Sequence, residues 1–327
     1  TMDEGDDITC TITNNDVEAK LTLIKVVDNG DGGNAQPDDF LLTVNGNAVL
    51  SGIGVGYPAN VPLAINETPL TGYDFVSITG DDKCPDVLGG TVTLDEGDDI
   101  TCTITNDDIA PQLTLVKVVD NGDGGNAQPD DFLLTVGGNG VTSGAANTYM
   151  ANTPLAINET QLTGYEFVSI TGDDKCPAVL GGTVTLDEGD DITCTITNDD
   201  ILTQLTVVKR TINIQDDQFC FALTGETTEN FCITTVQGEG QEGGALSAGN
   251  YSIAETSTGN FKLLSQSCDN GDSPANLNLE SGDNVTCTFV NGVDAAVPVN
   301  NPFVLFMLRL TMFATGWYFM PAVLRRF

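Results

Sequence analysis

Three kinds of polar residue recur where alternating strands should present an apolar face. In "LTLIKVV", Leu21, Leu23, Lys25 and Val27 share one face at period two. In "LAINET", Leu63, Ile65 and Glu67 do so, and in "DITCTITN", Ile100, Cys102, Ile104 and Asn106. Lys117, Glu159 and Asn198 repeat the pattern, and so do Lys209, Glu255 and Asn291. A charged or polar group that faces a core is costly unless it is paired. Burial drives a lysine towards its neutral amine and a glutamate towards its protonated acid. The amine is then a nucleophile, and the acid can donate to a carbonyl oxygen. If that carbonyl belongs to the asparagine, the amine attacks it, ammonia leaves, and a Lys–Asn isopeptide bond forms once, without turnover. Glu67, Glu159 and Glu255 would be the internal catalysts of bonds Lys25–Asn106, Lys117–Asn198 and Lys209–Asn291. The competing reading is a buried ion pair with the asparagine hydrogen-bonded to it, an arrangement seldom net stabilising.

The elements that must place these residues read as strands. "LTLIKVV" alternates, "DFLLTVNGNAVL" is a hairpin with an Asn-Gly turn, and "YDFVSIT", "GGTVTL" and "DDITCTIT" are further short strands. No amphipathic helical period appears before the C-terminal tail. Six or seven short antiparallel strands in about 90 residues predict a β-sandwich.

The sandwich is repeated. Residues 21–108 and 113–200 align at a constant offset of 92, differing at 13 of 88 positions, nine of them within residues 45–61. A diverged third copy runs from Leu205 to about Val293, keeping "LTVVK", "IAET" and "TCTFVN". The expected domains are repeats at 17–108, 109–200 and 201–293, followed by a tail at 294–327. Residues 1–16, "TMDEGDDITCTITNND", match "TLDEGDDITCTITNDD" at 93–108 and read as the last strand of a truncated repeat, so the chain reads as a piece of a longer array. A period this long, with a core pattern in each unit, means tandem domains and not a solenoid.

Composition narrows the function. There are 47 acidic and 11 basic residues, a formal charge of −36. Such a surface repels nucleic acid and keeps an extracellular protein soluble. With no histidine, Ser-His and Cys-His catalysis and imidazole metal sites are absent. No group suited to an external substrate lies outside the trios, which points away from an enzyme with turnover. Nine cysteines without a CxxC pair read as disulfides of an oxidising compartment. Cys84 with Cys102, and Cys176 with Cys194, recur at one spacing near the end of a unit. Cys220 and Cys232 flank a turn on one hairpin face, Cys268 and Cys287 stand for the terminal pair, and Cys10 is left over. A bridge closing such a loop contributes about 3 kcal/mol.

"DNGDGGNAQPDD" has the oxygen ligands and glycines of a calcium loop, with Asp28, Asp31, Asp120 and Asp123 as ligands. Its spacing departs from the EF-hand, and a flexible, glycine-rich connection between strands is the preferred account. No cofactor is required by the chemistry above. The tail is different in kind. "VPVNNP" precedes an apolar run, 303–324, broken by Arg309 and followed by Arg325 and Arg326. It predicts one C-terminal transmembrane helix with its basic end in the cytoplasm, used as an anchor or a sorting signal.

"LTLVKVVDNGDGG", "LAINETQLTGYEF" and "DITCTITND" resemble the Cna-B/SpaA-type prealbumin-like repeats of bacterial surface proteins. The resemblance covers nearly all of residues 17–293. It implies a prealbumin-like, Ig-like sandwich in which a first-strand Lys, a Glu in an "E-T-x-x-x-G-Y" segment and a last-strand Asn form an isopeptide bond. The tail resembles sorting signals of the IPTL-CTERM/exosortase type of Gram-negative envelopes, with "VPVNNP" in place of the consensus. Together these imply a stalk or adhesin segment anchored or processed at the cell envelope. Its partners would be the sorting machinery, the membrane and a surface ligand or matrix component. The rival reading is a calcium-dependent or ligand-binding module that uses the variable 45–61 segment.

Overall fold

A computed structural model describes residues 1–212 and 214–293. The tail with its apolar run and arginines lies outside the described residues. Among those described, no helix is long and apolar enough to cross a membrane. The chain divides into two compact units, one up to Ile201 and one from Leu202.

The first unit holds two sandwiches of eight strands each. In the first repeat the strands are β1 (Ala19–Asp28), β2 (Leu42–Val44), β3 (Asn47–Val49), β4 (Gly54–Tyr57), β5 (Pro62–Glu67), β6 (Tyr73–Gly80), β7 (Thr91–Thr93) and β8 (Asp99–Asp108). One sheet runs β4-β1-β8-β6 and the facing sheet β3-β2-β5-β7. The second repeat has β9 (Gln112–Asp120), β10 (Leu134–Val136), β11 (Asn139–Val141), β12 (Ala146–Thr148), β13 (Pro154–Glu159), β14 (Tyr165–Gly172), β15 (Thr183–Thr185) and β16 (Asp191–Asp200). Its sheets, β12-β9-β16-β14 and β11-β10-β13-β15, have the same order.

The second unit is a third sandwich: β17 (Thr203–Thr211), β18 (Gln218–Gly225), β19 (Glu229–Thr234), β20 (Glu239–Leu246), β21 (Gly249–Ser257), β22 (Phe261–Cys268), β23 (Leu277–Leu279) and β24 (Asn284–Val293). Its sheets are β20-β17-β24-β22 and β19-β18-β21-β23.

The strand content agrees with the sequence reading, and its details correct that reading twice. There are eight strands per repeat, because residues 54–57 add an edge strand to β1. The sandwich is also not wholly antiparallel, since β1 and β8 pair in parallel, with Leu23 opposite Cys102 and Lys25 opposite Ile104. Strands adjacent in a sheet but far apart in sequence are not joined by a hairpin, so local turn signals carry no information about their direction.

The expected hairpin at residues 42–49 is present. Asn45 and Gly46 both take positive φ, 49° and 78°, as a two-residue turn matching the strand twist requires. Inward residues alternate along the first and last strand of each repeat. Leu21, Leu23, Leu42, Val44, Leu63, Ile65, Ile100, Cys102 and Ile104 form one core, and its counterpart fills the second repeat. The third core is richer in aromatics, with Phe219, Phe221 and Phe289 completely buried. The variable 45–61 segment supplies edge strands β3 and β4 and their connection. An edge strand touches one neighbour only, so substitutions there disturb less packing. Residues 1–18 are exposed and form no strand, and none of the described strands pairs with them.

Candidate functional site

Each lysine expected to face the core does so. Lys25 stands near the end of β1 and Asn106 near the end of β8. Their register partners, Ile104 and Val27, place them two residues apart on one face of two adjacent strands. Glu67 ends β5 in the facing sheet, opposite Leu42. The trio therefore bridges the two layers. Lys25, Glu67 and Asn106 are buried at 3 %, 6 % and 2 % exposure.

Lys25 Nζ donates to Asn106 Oδ1 at 2.5 Å and lies 3.2 Å from Glu67 Oε2, without a well-directed hydrogen bond to the carboxylate. In the second repeat Lys117 Nζ donates to Asn198 Oδ1, and also to Glu159 Oε2 at 2.8 Å. The third trio is arranged differently. Lys209 Nζ lies 2.8 Å from Glu255 Oε1, whereas Asn291 Nδ2 donates to both oxygens of Glu255 at 3.0 Å. Asn291 Oδ1 is then buried without a partner.

A residue type that the sequence reading overlooked completes each site. The rings of Phe40, Phe132 and Phe219 lie 4.3, 4.2 and 4.4 Å from the amines of Lys25, Lys117 and Lys209. They close the remaining side of the amine against water. The signal was present: Phe40, Leu42 and Val44 share the inward phase of β2 and its approach. The electrostatic result is the same in all three sites. Burial holds each lysine below its usual value of 10.5, and the neighbouring carboxylate pulls the other way without offsetting it. An amine so placed loses its proton more readily than one in water, with a carboxyl group beside it in all three sites and an amide carbonyl in hydrogen-bond contact in the first two.

The disulfides Cys84–Cys102, Cys176–Cys194, Cys220–Cys232 and Cys268–Cys287 are all present, and Cys10 is free and exposed. Cys220 faces Cys232 across β18 and β19, and Cys268 faces Cys287 across β22 and β24. In the first two repeats a buried last-strand cysteine instead holds the connection after β6 or β14 to the core.

Asp28 and Asp120 are exposed, and Asp31 and Asp123 are half-buried. The loop between β1 and β2 closes on groups that the sequence reading did not single out. Asp108 accepts the N–H groups of Asp31 at 3.0 Å and Gly33 at 2.6 Å. Tyr73 Oη accepts from Ala35 N–H at 2.9 Å and donates to Asn29 Oδ1 at 2.8 Å. Among the described residues no group of three or more His, Cys, Asp or Glu side chains is placed to hold a metal ion. The acidic turn at 95–99 is met from within the chain: Lys83 Nζ reaches Asp95 at 2.6 Å and also Asp98.

The family model described as a prealbumin-like fold domain, SpaA_2, matches residues 16–104, 108–196 and 200–289. The chain belongs to this family. Three tandem SpaA_2 domains thus occupy most of it. Among solved structures, similarity extends to the Bacillus anthracis TIE protein (14% identity, TM-score 0.45), over 84% of this chain and 50% of that one. The chain thus spans half the length of the TIE structure. The Streptococcus pyogenes major pilin is similar at 13% identity and TM-score 0.26, over 86% of this chain and 99% of that one. Two B repeat units of the Staphylococcus aureus collagen-binding protein are similar at 14% identity and TM-score 0.20, over 84% and 75%. No curated protein matches the sequence.

Proposed function

We propose that this chain is a stalk segment of a bacterial cell-surface protein, whose SpaA_2 domains are tied internally by autocatalytic Lys–Asn isopeptide bonds as well as by disulfides. The observation that carries this reading is the trio itself: in the first two repeats a shielded lysine amine is held on an asparagine side-chain amide beside a buried carboxyl group, and the third repeat buries the same three residue types with the amine against the carboxylate. In each domain the amine attacks Cγ of the asparagine, the Nζ–Cγ bond forms and the Cγ–Nδ2 bond breaks. The glutamate carries the proton from Nζ to the departing Nδ2, and ammonia leaves. The outcome is one amide per domain, and the glutamate is regenerated.

Such a bond suits a load-bearing role. Tension enters a domain at the start of its first strand and leaves at the end of its last. With Lys25 joined to Asn106, force passes from β1 directly into the end of β8, and residues 26–105 leave the load path. The tail at 294–327 would engage envelope sorting machinery and the membrane, with a Gram-negative envelope as the setting. A surface ligand or matrix component would be met through exposed segments such as 45–61.

The test is the intact mass of the reduced protein. Three bonds lower it by about 51 Da, about 17 Da for each ammonia lost. A mass equal to that of the unmodified sequence rejects the crosslinks and leaves the trios as buried ion-pair networks.

A further inference from the structure

Within the first unit, repeats 1 and 2 meet through directed contacts. Ala151 N–H donates to the Asp31 carbonyl at 2.8 Å. Asn152 Nδ2 donates to the Gly32 carbonyl at 3.1 Å and to Glu188 Oε1 at 2.9 Å. The same carboxylate oxygen accepts Asn34 N–H at 3.1 Å and lies 3.5 Å from the Tyr73 hydroxyl. One face of repeat 2 thus grips the Asn29–Asn34 loop of repeat 1, with a charged acceptor at its centre. Gly32, at φ +96°, allows the approach: a Cβ there would lie 2.7 Å from the Ala151 carbonyl oxygen.

Repeat 1 carries the same face 92 residues earlier, as Ala59, Asn60 and Glu96. It is already shaped for the contact. Asn60 has φ 64° where Asn152 has 59°, an unusual conformation for a residue with a side chain. Asn60 N–H donates to Leu94 at 2.7 Å, as Asn152 N–H donates to Leu186 at 2.8 Å. The incoming chain also lies alike in both repeats. Gly97 N–H donates to Val17 and Lys20 N–H to Asp98, reproducing Gly189 to Ile109 and Gln112 to Asp190. Burial differs. Ala151 is buried and Glu188 half-buried, whereas Ala59 is half-buried and Glu96 exposed.

We infer that the Ala59–Asn60–Glu96 face of repeat 1 is a docking site for the Asn-Gly-Asp-Gly-Gly-Asn loop of a second copy of the same repeat. The joint is selective for like repeats, since the third repeat has Ser281 where Glu188 stands and so lacks the carboxylate. It needs no isopeptide bond, so its failure is read by amide exchange and that of the crosslink by mass.

The test lengthens the full chain by inserting a further copy of residues 21–112 ahead of Leu21, and reads amide hydrogen exchange residue by residue. In the original chain the Ala151 amide exchanges slowly and the Ala59 amide fast. In the lengthened chain Ala59 slows at least about tenfold, as a hydrogen bond newly shielded in a joint does. Glu96→Ala in the lengthened chain reverses the slowing and leaves Ala151 unchanged. Equal Ala59 exchange in the two chains overturns the proposal, as does slowing that survives Glu96→Ala. One extra disulfide in the mass confirms that the inserted copy has folded. If it has not, Glu188→Ala in the original chain decides instead: unchanged exchange at Ala151 overturns the joint.

Discussion

Lys25 and Asn106 occupy adjacent parallel strands, two residues out of register, and Lys25 Nζ donates to Asn106 Oδ1 at 2.5 Å. They are 81 residues apart in sequence. A bond between them closes nearly a whole domain as one loop.

The carboxyl group proposed as the internal catalyst should be separable from the fold. Glu159→Gln keeps the shape of the side chain and removes the acid. The second domain then stays folded but regains about 17 Da. Its unfolding free energy should fall by about 4 kcal/mol, the chain-entropy value for a tie closing a loop of this length. Intact-mass and denaturant measurements on this one variant check both, and an unchanged mass removes Glu159 from the reaction.

Removing the amine is worse than removing the acid. Lys117→Ala also restores the ammonia mass, but it leaves Glu159 buried with no cation in reach. An unpartnered buried charge adds about 3 kcal/mol of destabilisation beyond the lost bond. Adding Glu159→Gln to Lys117→Ala should therefore recover stability. A double variant no more stable than the single one would show that the carboxyl group is not charged there.

The unreacted site has a defined pH signature. Asn198→Ala removes the electrophile and leaves Lys117 as an amine. Burial holds that amine below 10.5 in the folded domain, while the unfolded chain keeps the ordinary value. Between the folded value and 10.5 the unfolded chain binds a proton that the folded chain does not, so stability rises with pH across that window and levels off above it. In a crosslinked domain this residue is an amide and contributes no slope. Unfolding curves of wild type and Asn198→Ala from about pH 8 upward should therefore converge as pH rises. A constant gap argues that the wild-type amine is also free.

Force separates the two kinds of covalent tie. The Cys176–Cys194 bridge lies inside the segment that a Lys117–Asn198 bond would shield. Pulling on the wild-type second domain should release no chain length, with or without reductant. In Glu159→Gln, 81 residues become extensible, and the bridge withholds 18 of them until it is reduced. The expected release is about 230 Å with the disulfide intact and about 290 Å after reduction. Wild-type domains that lengthen like the variant would place the load on the sheets alone.

Calcium is testable at the loop after β1. Burial and the charges of Asp28, Asp108 and Asp31 hold the Asp107 carboxyl above the usual range, and N–H groups of the loop already occupy Asp108. The expected outcome is an unfolding midpoint unchanged by chelator. A rise on adding calcium, abolished by Asp31→Asn, would assign a cation site there.

The repeats, the strand content and the inward phase of Lys25, Glu67 and Asn106 were legible in the order of residues. All of these follow from the alternation of side chains along a strand, which is a local property. The disulfide partners were legible for a related reason, since each pair lies within one short span of chain. Tertiary structure alone decided that β1 and β8 run in parallel side by side, because partners some 80 residues apart leave no local mark on each other. It also decided that Phe40 closes the amine pocket, that Asp108 and Tyr73 bind the loop after β1, and that Glu188 grips the preceding repeat. Each of these is a polar or aromatic group whose role depends on what another strand, loop or domain brings to it. Phase says which way a side chain points; only the folded chain says what it meets.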